Sequence, residues 1–323
     1  MSNYYIEDGD WMVGGWGGKA PVTDIDIALR GPAASSAGKF LDRLWKWTCE
    51  NLESTYVSLA TSKAKSVPPE LYAQEYQPLG QGELDVISVG SLGYGIQLKD
   101  ILSTYQLPGA AKVEQAACES NNETNTDRDF ATVNPDANAL RVLIANAKNT
   151  IVLSQQDING YSHYPMNHAL FDVRLIDALV DRILAEPPVQ VRIVLSNPGY
   201  PDYSNISSIE EAAKALLDRV MLKVGSEEEA RKLLQSQLAL ATLRVSNAPS
   251  WPGDLKYRLH SKLVCVDNRA FYVGSRNAYP DTTQDHGFII EDEDAAKQLK
   301  TQFLDKQWLY SNSTAYKWIR PIK

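Results

Sequence analysis

The sequence predicts an α/β protein with helices on both faces of a sheet, and three observations predict it. From about residue 137 onward, short β-branched or apolar runs alternate with longer segments of helical period. Polar clusters with Gly, Pro or Asn punctuate several of the junctions. Three blocks near the N-terminus recur in the same order near the C-terminus, as a duplicated unit would make them.

The elements follow in chain order. Residues 24–29 alternate polar and apolar side chains, the pattern of a half-buried strand, and Gly31-Pro32 closes it. A helix is expected over 33–50, where Phe40, Leu41, Leu44 and Trp45 share one face. Residues 61–82 hold several prolines and glycines and read as a loop, and 85–89 as a strand. Residues 105–135 are polar, which predicts a long loop or a crossing between halves. Helix 137–147, strand 150–154, helix 173–184 and strand 189–195 follow, the last closed by Asn197-Pro198. Residues 207–223 and 226–237 read as helices, and 240–245 and 257–266 as strands.

The recurring blocks are Trp11-Met12-Val13-Gly14-Gly15 with Phe271-Tyr272-Val273-Gly274-Ser275, residues 24–29 with 285–290, and residues 40–45 with 303–308. With 323 residues there is room for two domains or two fused halves, at roughly 100–200 residues each. The division expected is 1–125 and 126–323. A composition 44% hydrophobic and 22% charged excludes disordered and collagen-like classes. No apolar run reaches the roughly 18 residues of a membrane span. The first residues lack the basic and apolar segments of a secretory leader, so the chain is expected to be cytosolic or to start after its true beginning. A net charge of −8 repels phosphate backbones, so nucleic-acid binding is not expected, although a local pocket for one phosphate is compatible with it. Cys49, Cys118 and Cys265 have no close pair, which excludes a zinc site of short cysteine spacing and allows at most one disulfide. The four histidines and three cysteines are scattered, and no metal or cofactor is expected.

One motif carries chemistry. In His260-Ser261-Lys262, strand alternation puts the imidazole and the ammonium on one face. Asp267 follows, then a turn at Asn268-Arg269, a short strand, and Gly274-Ser275-Arg276-Asn277, where small residues permit close approach of a ligand. A histidine, an ammonium, a hydroxyl and an amide converging on one point suit a phosphoryl group. Lysine offsets its charge, Ser and Asn donate hydrogen bonds, and histidine exchanges a proton near neutral pH. A lone His-x-Lys is common and usually means nothing. Six positions in the order His-x-Lys-x4-Asp-x6-Gly-Ser-x-Asn are hard to obtain by accident.

Residues 260–291 resemble the second signature motif of the phospholipase D superfamily. Residues 24–51, 126–135, 154–157 and 296–310 are similar to the secreted phospholipases D of actinomycetes. The resemblance implies a layered α-β-α sandwich of two pseudo-symmetric lobes sharing one site, and a metal-independent phosphodiesterase working through a phosphohistidine. It implies His260 as general acid and base, with Lys262, Ser275 and Asn277 on phosphate oxygens and Gly274 beside them. Asp267 counts with the catalytic set but as a support through hydrogen bonds. Asp24 would orient His260 from the opposite lobe, and Asp285 would orient the nucleophilic histidine. Tyr203 falls at the substrate mouth. A phospholipid at a membrane surface, a monomer and an extracellular location are the implied setting.

The first motif departs from this pattern. Asp8-Gly9 and Gly14-Gly15 match its downstream part, but its His-x-Lys positions fall on Met1 and Asn3, and no histidine precedes His163. The chain is therefore expected to be incomplete, with its first lobe truncated. His163 and His168 read as surface residues, while His286 could approach the phosphate from beside Asp285. Three functions compete: a phospholipid hydrolase and transferase, a non-catalytic phosphodiester-binding module, and a nuclease formed by a symmetric dimer. The acidic charge and the remnant first lobe weigh against the last.

Overall fold

The computed structural model describes residues 21–50, 82–91, 104–106, 135–161, 169–199, 204–279 and 284–319. The strands and helices run β1 (Val22–Thr23), α1 (Pro32–Glu50), β2 (Asp85–Ser91), β3 (Thr104–Gln106), α2 (Pro135–Ala145), β4 (Thr150–Gln155), β5 (Gly160–Tyr161), β6 (Ala169–Asp172), α3 (Val173–Ile183) and β7 (Gln190–Leu195). They continue as α4 (Ile209–Val224), α5 (Glu227–Gln237), β8 (Leu238–Thr242), β9 (Arg258–Leu259), β10 (Lys262–Val266), β11 (Ala270–Gly274), β12 (Asp285–Glu291), α6 (Glu293–Leu299) and α7 (Asp305–Ser311). Among the described residues no helix is long and apolar enough to cross a membrane.

Seven strands form the central sheet in the order β2-β12-β11-β10-β4-β7-β8. β4, β7 and β8 are parallel. Parallel neighbours need a crossover, and α3 supplies one while α4 and α5 supply the next. The other pairs are antiparallel. Strand alternation divides the core in two. On one face, Ile151, Leu153, Val264, Val266 and Tyr272 join Leu140, Ile176, Leu179 and Leu216 from the helices. On the other, Val152, Leu263, Cys265, Phe271 and Ile290 join Ala296 and Leu304. The fold is thus the expected α/β sheet with helices on both faces.

Helix ends follow local chemistry. Asp172 caps α3 by accepting from the amides of Arg174 and Leu175, and Ser226 caps α5 through the Glu229 amide. α4 stops at Gly225, whose φ of 76° lies in the left-handed region that glycine tolerates.

Three expectations are corrected. Residues 24–29 form no strand: pairing stops at Thr23, and Ile25 and Leu29 pack on the second core face instead. The strand expected over 257–266 is broken at His260-Ser261. Its first part, β9, pairs with β1, and its second, β10, lies in the central sheet. β2 pairs with β12 along its whole length, so the central sheet takes strands from both sides of residue 125. The repeat loses its middle block, since 24–29 is irregular where 285–290 is strand. Its third block falls within α1 in one copy but crosses from a π-helical turn (Lys300–Leu304) into α7 in the other. The N-terminal copy of its first block lies outside the described residues.

Candidate active site

The break between β9 and β10 is what presents His260. Leu259 donates its amide to Ser196 Oγ at 3.1 Å, and Asn197 Nδ2 donates to the carbonyls of Leu243 and Tyr257. These polar residues just after β7 hold β9 off the line of β10. The amide of His260 donates to the carbonyl of Thr23 at 2.8 Å. Its Nδ1 lies 2.9 Å from Asp24 Oδ2, while Asp24 Oδ1 accepts from the Ile25 amide. Two residues of parallel pairing, Val22 with Arg258 and Thr23 with Leu259, set that approach. A carboxylate on Nδ1 fixes the tautomer and leaves Nε2 for proton exchange.

Lys262 starts β10 and is only 5% exposed. Its Nζ donates to the carbonyl of His260, so the ammonium lies against the backbone of the histidine. Between them stands Ser261, which is fully buried and bonded to Ser154.

The second arm of the motif follows β11. Ser275 Oγ donates to Asp285 Oδ1 at 2.8 Å and accepts from the His286 amide. Asp285 is 3% exposed and also meets Arg276 Nη1 at 3.4 Å. Asn277 Oδ1 is buried without a hydrogen-bond partner. Arg276, which the motif leaves as a variable position, proves to be the buried cation of this arm. It lies near Asp136 and Asp172 as well. Burial raises the Asp136 carboxyl to about 6, with Arg276 acting against the rise and Asp285 adding to it. Burial also raises Asp172, against its two capping amides and Arg276. The sequence signal for Arg276 was a charge between Ser275 and Asn277. The buried glutamine that bonds this arm, Gln155, lay in the resembling stretch 154–157, but no role for it could be read there.

Asp267 is a hydrogen-bonded support, while Gly274 and His286 pack against neighbouring side chains. Asp267 lies just past the opposite end of β10 from His260. Its carboxylate accepts from the amides of Lys148, Asn149 and Thr150 at 2.8, 2.7 and 2.9 Å. It belongs to the hairpin turn, where Asp267 and Asn268 have φ of 54° and 51°. Gly274 leaves no room for a ligand: a Cβ there would lie 2.5 Å from both Gly287 Cα and Tyr272 Oη. The glycine, with Gly287 opposite it, lets the Tyr272 ring lie over this cross-strand pair. His286 does not sit beside Asp285, because successive strand residues face opposite ways. Its Nε2 meets Ser88 Oγ at 2.9 Å, and its ring packs on Phe40 and Phe288. Burial lowers its pKa. Gly14, Gly15 and Tyr203 lie outside the described residues, as do His163 and His168.

A cavity of about 250 Å³ lined by Thr150, Arg192, Leu238, Lys300 and Trp308 opens at the Asp267 end of the strands, away from His260. Among the described residues no group of three or more His, Cys, Asp or Glu could hold a metal.

An imidazole steadied by a carboxylate, next to an ammonium, equips an α/β sheet for acid–base work on an anionic substrate. Residues 140–308 match the family described as "Cardiolipin synthase, PLD-like domain". The match covers more than half of the chain, and the protein belongs to the phospholipase D superfamily. It is 43% identical over 309 residues to a phospholipase D of Streptomyces antibioticus, covering 91% of this chain and 54% of that one. The chain thus spans about half the length of that curated relative. Among solved structures, the Salmonella typhimurium phospholipase D family member Nuc is 18% identical over 55% of this chain and 89% of its own, with a TM-score of 0.31. The Haemophilus influenzae phosphatidylserine synthase is 16% identical over 58% and 38%, with a TM-score of 0.37.

Proposed function

We propose that the protein is a phospholipase D-type enzyme, hydrolysing phosphatidylcholine-like lipids to phosphatidate and free alcohol or transferring the phosphatidyl group to another alcohol. The observation that carries this reading is the His260–Asp24 pair, at 2.9 Å. With Nδ1 on the carboxylate, His260 Nε2 is the atom that gives a proton to the leaving alcohol as its P–O bond breaks. The same nitrogen then takes a proton from water or an acceptor alcohol as that oxygen attacks phosphorus and releases the nucleophile. Lys262 offsets the phosphate charge. The Asn277 amide, turned half way about its Cβ–Cγ bond, offers its NH₂ where Oδ1 now lacks a partner.

The nucleophilic histidine of such a mechanism has no counterpart in His286, which packs between phenylalanines. We assign that role to a group outside the described residues. The setting proposed is a monomer at an external phospholipid surface, with no nucleic-acid partner and no cofactor.

The test is choline release from phosphatidylcholine vesicles by residues 1–323, beside His260→Ala. Release that the variant loses by about 10²-fold or more, the range of general acid–base catalysis, supports the enzyme. A second reading is a binding module, favoured by the lack of a second histidine at the site among the described residues. Vesicle binding that depends on Lys262, without release, would establish that reading.

A further inference from the structure

We infer that Ser154 and Gln155, the last two residues of β4, are positioning residues that set the two arms of the motif against each other. The inference rests on the proposed reading of the site.

Adjacent strand residues project to opposite faces, and each of these two holds one arm. Ser154 Oγ lies 2.7 Å from Ser261 Oγ, and Ser261 Oγ also donates to the Ser154 carbonyl at 3.1 Å. Gln307 Nε2, from α7, donates to Ser154 Oγ at 2.9 Å. Ser154 and Ser261 are fully buried and Gln307 is nearly so. Ser261 follows His260 directly, at the break that turns the imidazole toward Asp24. This hydroxyl pair therefore fixes where the chain leaves β10. On the other face, Gln155 Oε1 accepts from the Ala278 amide at 3.1 Å, and its Nε2 donates to the Leu263 carbonyl. Gln155 is fully buried and stands opposite Lys262 in register. Ala278 follows Asn277 directly. One dipeptide thus sets the spacing between the histidine and the amide arm.

A buried hydroxyl and a buried amide at the end of an apolar strand are costly unless hydrogen-bonded. They add nothing to the sheet ladder, which the backbone makes without them. Their side-chain bonds go to the two residues that flank the chemistry.

The experiment uses the full chain with Ser154→Ala, Ser154→Thr and Gln155→Met. One readout is the NMR signal of the His260 Nδ1 proton held by Asp24, assigned by its loss in His260→Ala. The other is the dissociation constant for inorganic phosphate. Thermal melting reports folding. Ser154→Ala is expected to shift or broaden the His260 proton while changing phosphate affinity less than about twofold, and Ser154→Thr, which keeps the hydroxyl, restores the signal. Gln155→Met is expected to weaken phosphate binding about tenfold, as loss of one hydrogen bond in the arm would, and to leave the proton in place. Both variants moving both readouts together, or neither moving either, overturns the inference. If Ser154→Ala does not fold, Ser261→Ala, which leaves the Gln307 bond to Ser154, takes its place. If the wild type binds no phosphate, the phosphodiester reading fails, and the His260 proton in the Ser154 variants still decides this inference.

Discussion

Asp157 is fully buried at the end of the segment that follows β4. Its Oδ2 accepts from Ser204 Oγ and the Asn205 amide, and its Oδ1 has no partner. Burial raises its pKa to about 7. A carboxyl whose folded pKa lies above the unfolded one binds its proton more tightly in the native state. Its stabilisation is complete below about pH 4 and is lost as pH rises through about 7. In Asp157→Asn that contribution disappears. The stability difference between variant and wild type, from urea melts at pH 4.5 and 7, should therefore change in favour of the variant on raising the pH, by up to about 1.4 kcal/mol per unit. A pH-independent difference would refute the burial argument. His286 supports a second expectation. His286→Phe should preserve any phosphodiesterase turnover within a few-fold, because the ring packs between Phe40 and Phe288. A loss as deep as that of His260→Ala would make it the nucleophile after all. At this scale the histidine, the lysine and Asp24 were legible because their spacing and resemblance marked them. Ser154, Gln155 and Gln307 were not, since a buried polar residue looks like any other until its partner, more than a hundred positions away, is known.

At the scale of elements, the helices up to residue 237 were read to within two residues, because long apolar periods are local signals, while the short α6 and α7 were not read. The strands of the parallel half were equally plain. What failed was the stretch 257–266, read as one strand across a break that distant polar groups impose. Ser196 and Asn197 pull one half toward β1, and Ser154 holds the other. The hairpin of β10 and β11 gives a prediction of its own. Asp267→Ala strips an ionised acceptor from three amides, and charge-assisted bonds contribute about 1.5–3 kcal/mol each. Its midpoint in urea should fall by an amount corresponding to at least about 2 kcal/mol, while the folded fraction keeps its phosphate affinity. In the same hairpin, Gly274→Ala pushes a methyl into the backbone of β12, which cannot swing aside. It should cost about 1–3 kcal/mol by the same measurement.

The whole molecule is acidic, with a net charge of −8, and its phosphodiesterase motif lies in a sheet whose strands come from Asp85 to Glu291. Neither lobe symmetry nor the 125/126 division could be tested by pattern alone. The equivalence of 24–29 with 285–290 compared polar alternation, whereas pairing decided that only the later copy is a strand. The charge supports one prediction at this scale. The protein should not be retained on immobilised double-stranded DNA at 150 mM salt, as net repulsion from phosphates requires. Retention there would favour the nuclease over the lipid enzyme.

The contact between His260 and Asp24 joins residues 236 positions apart. Closing a loop of that length has an entropic cost on the order of 5 kcal/mol, and contacts so distant in sequence form late. On refolding from urea, the sheet built from β4, β7 and β10 should recover its circular dichroism before the His260 proton returns. The acid–base pair is therefore a reporter of completed folding. A chain caught part way, with its sheet formed and its first residues still loose, would hold a histidine with no carboxylate to steady it.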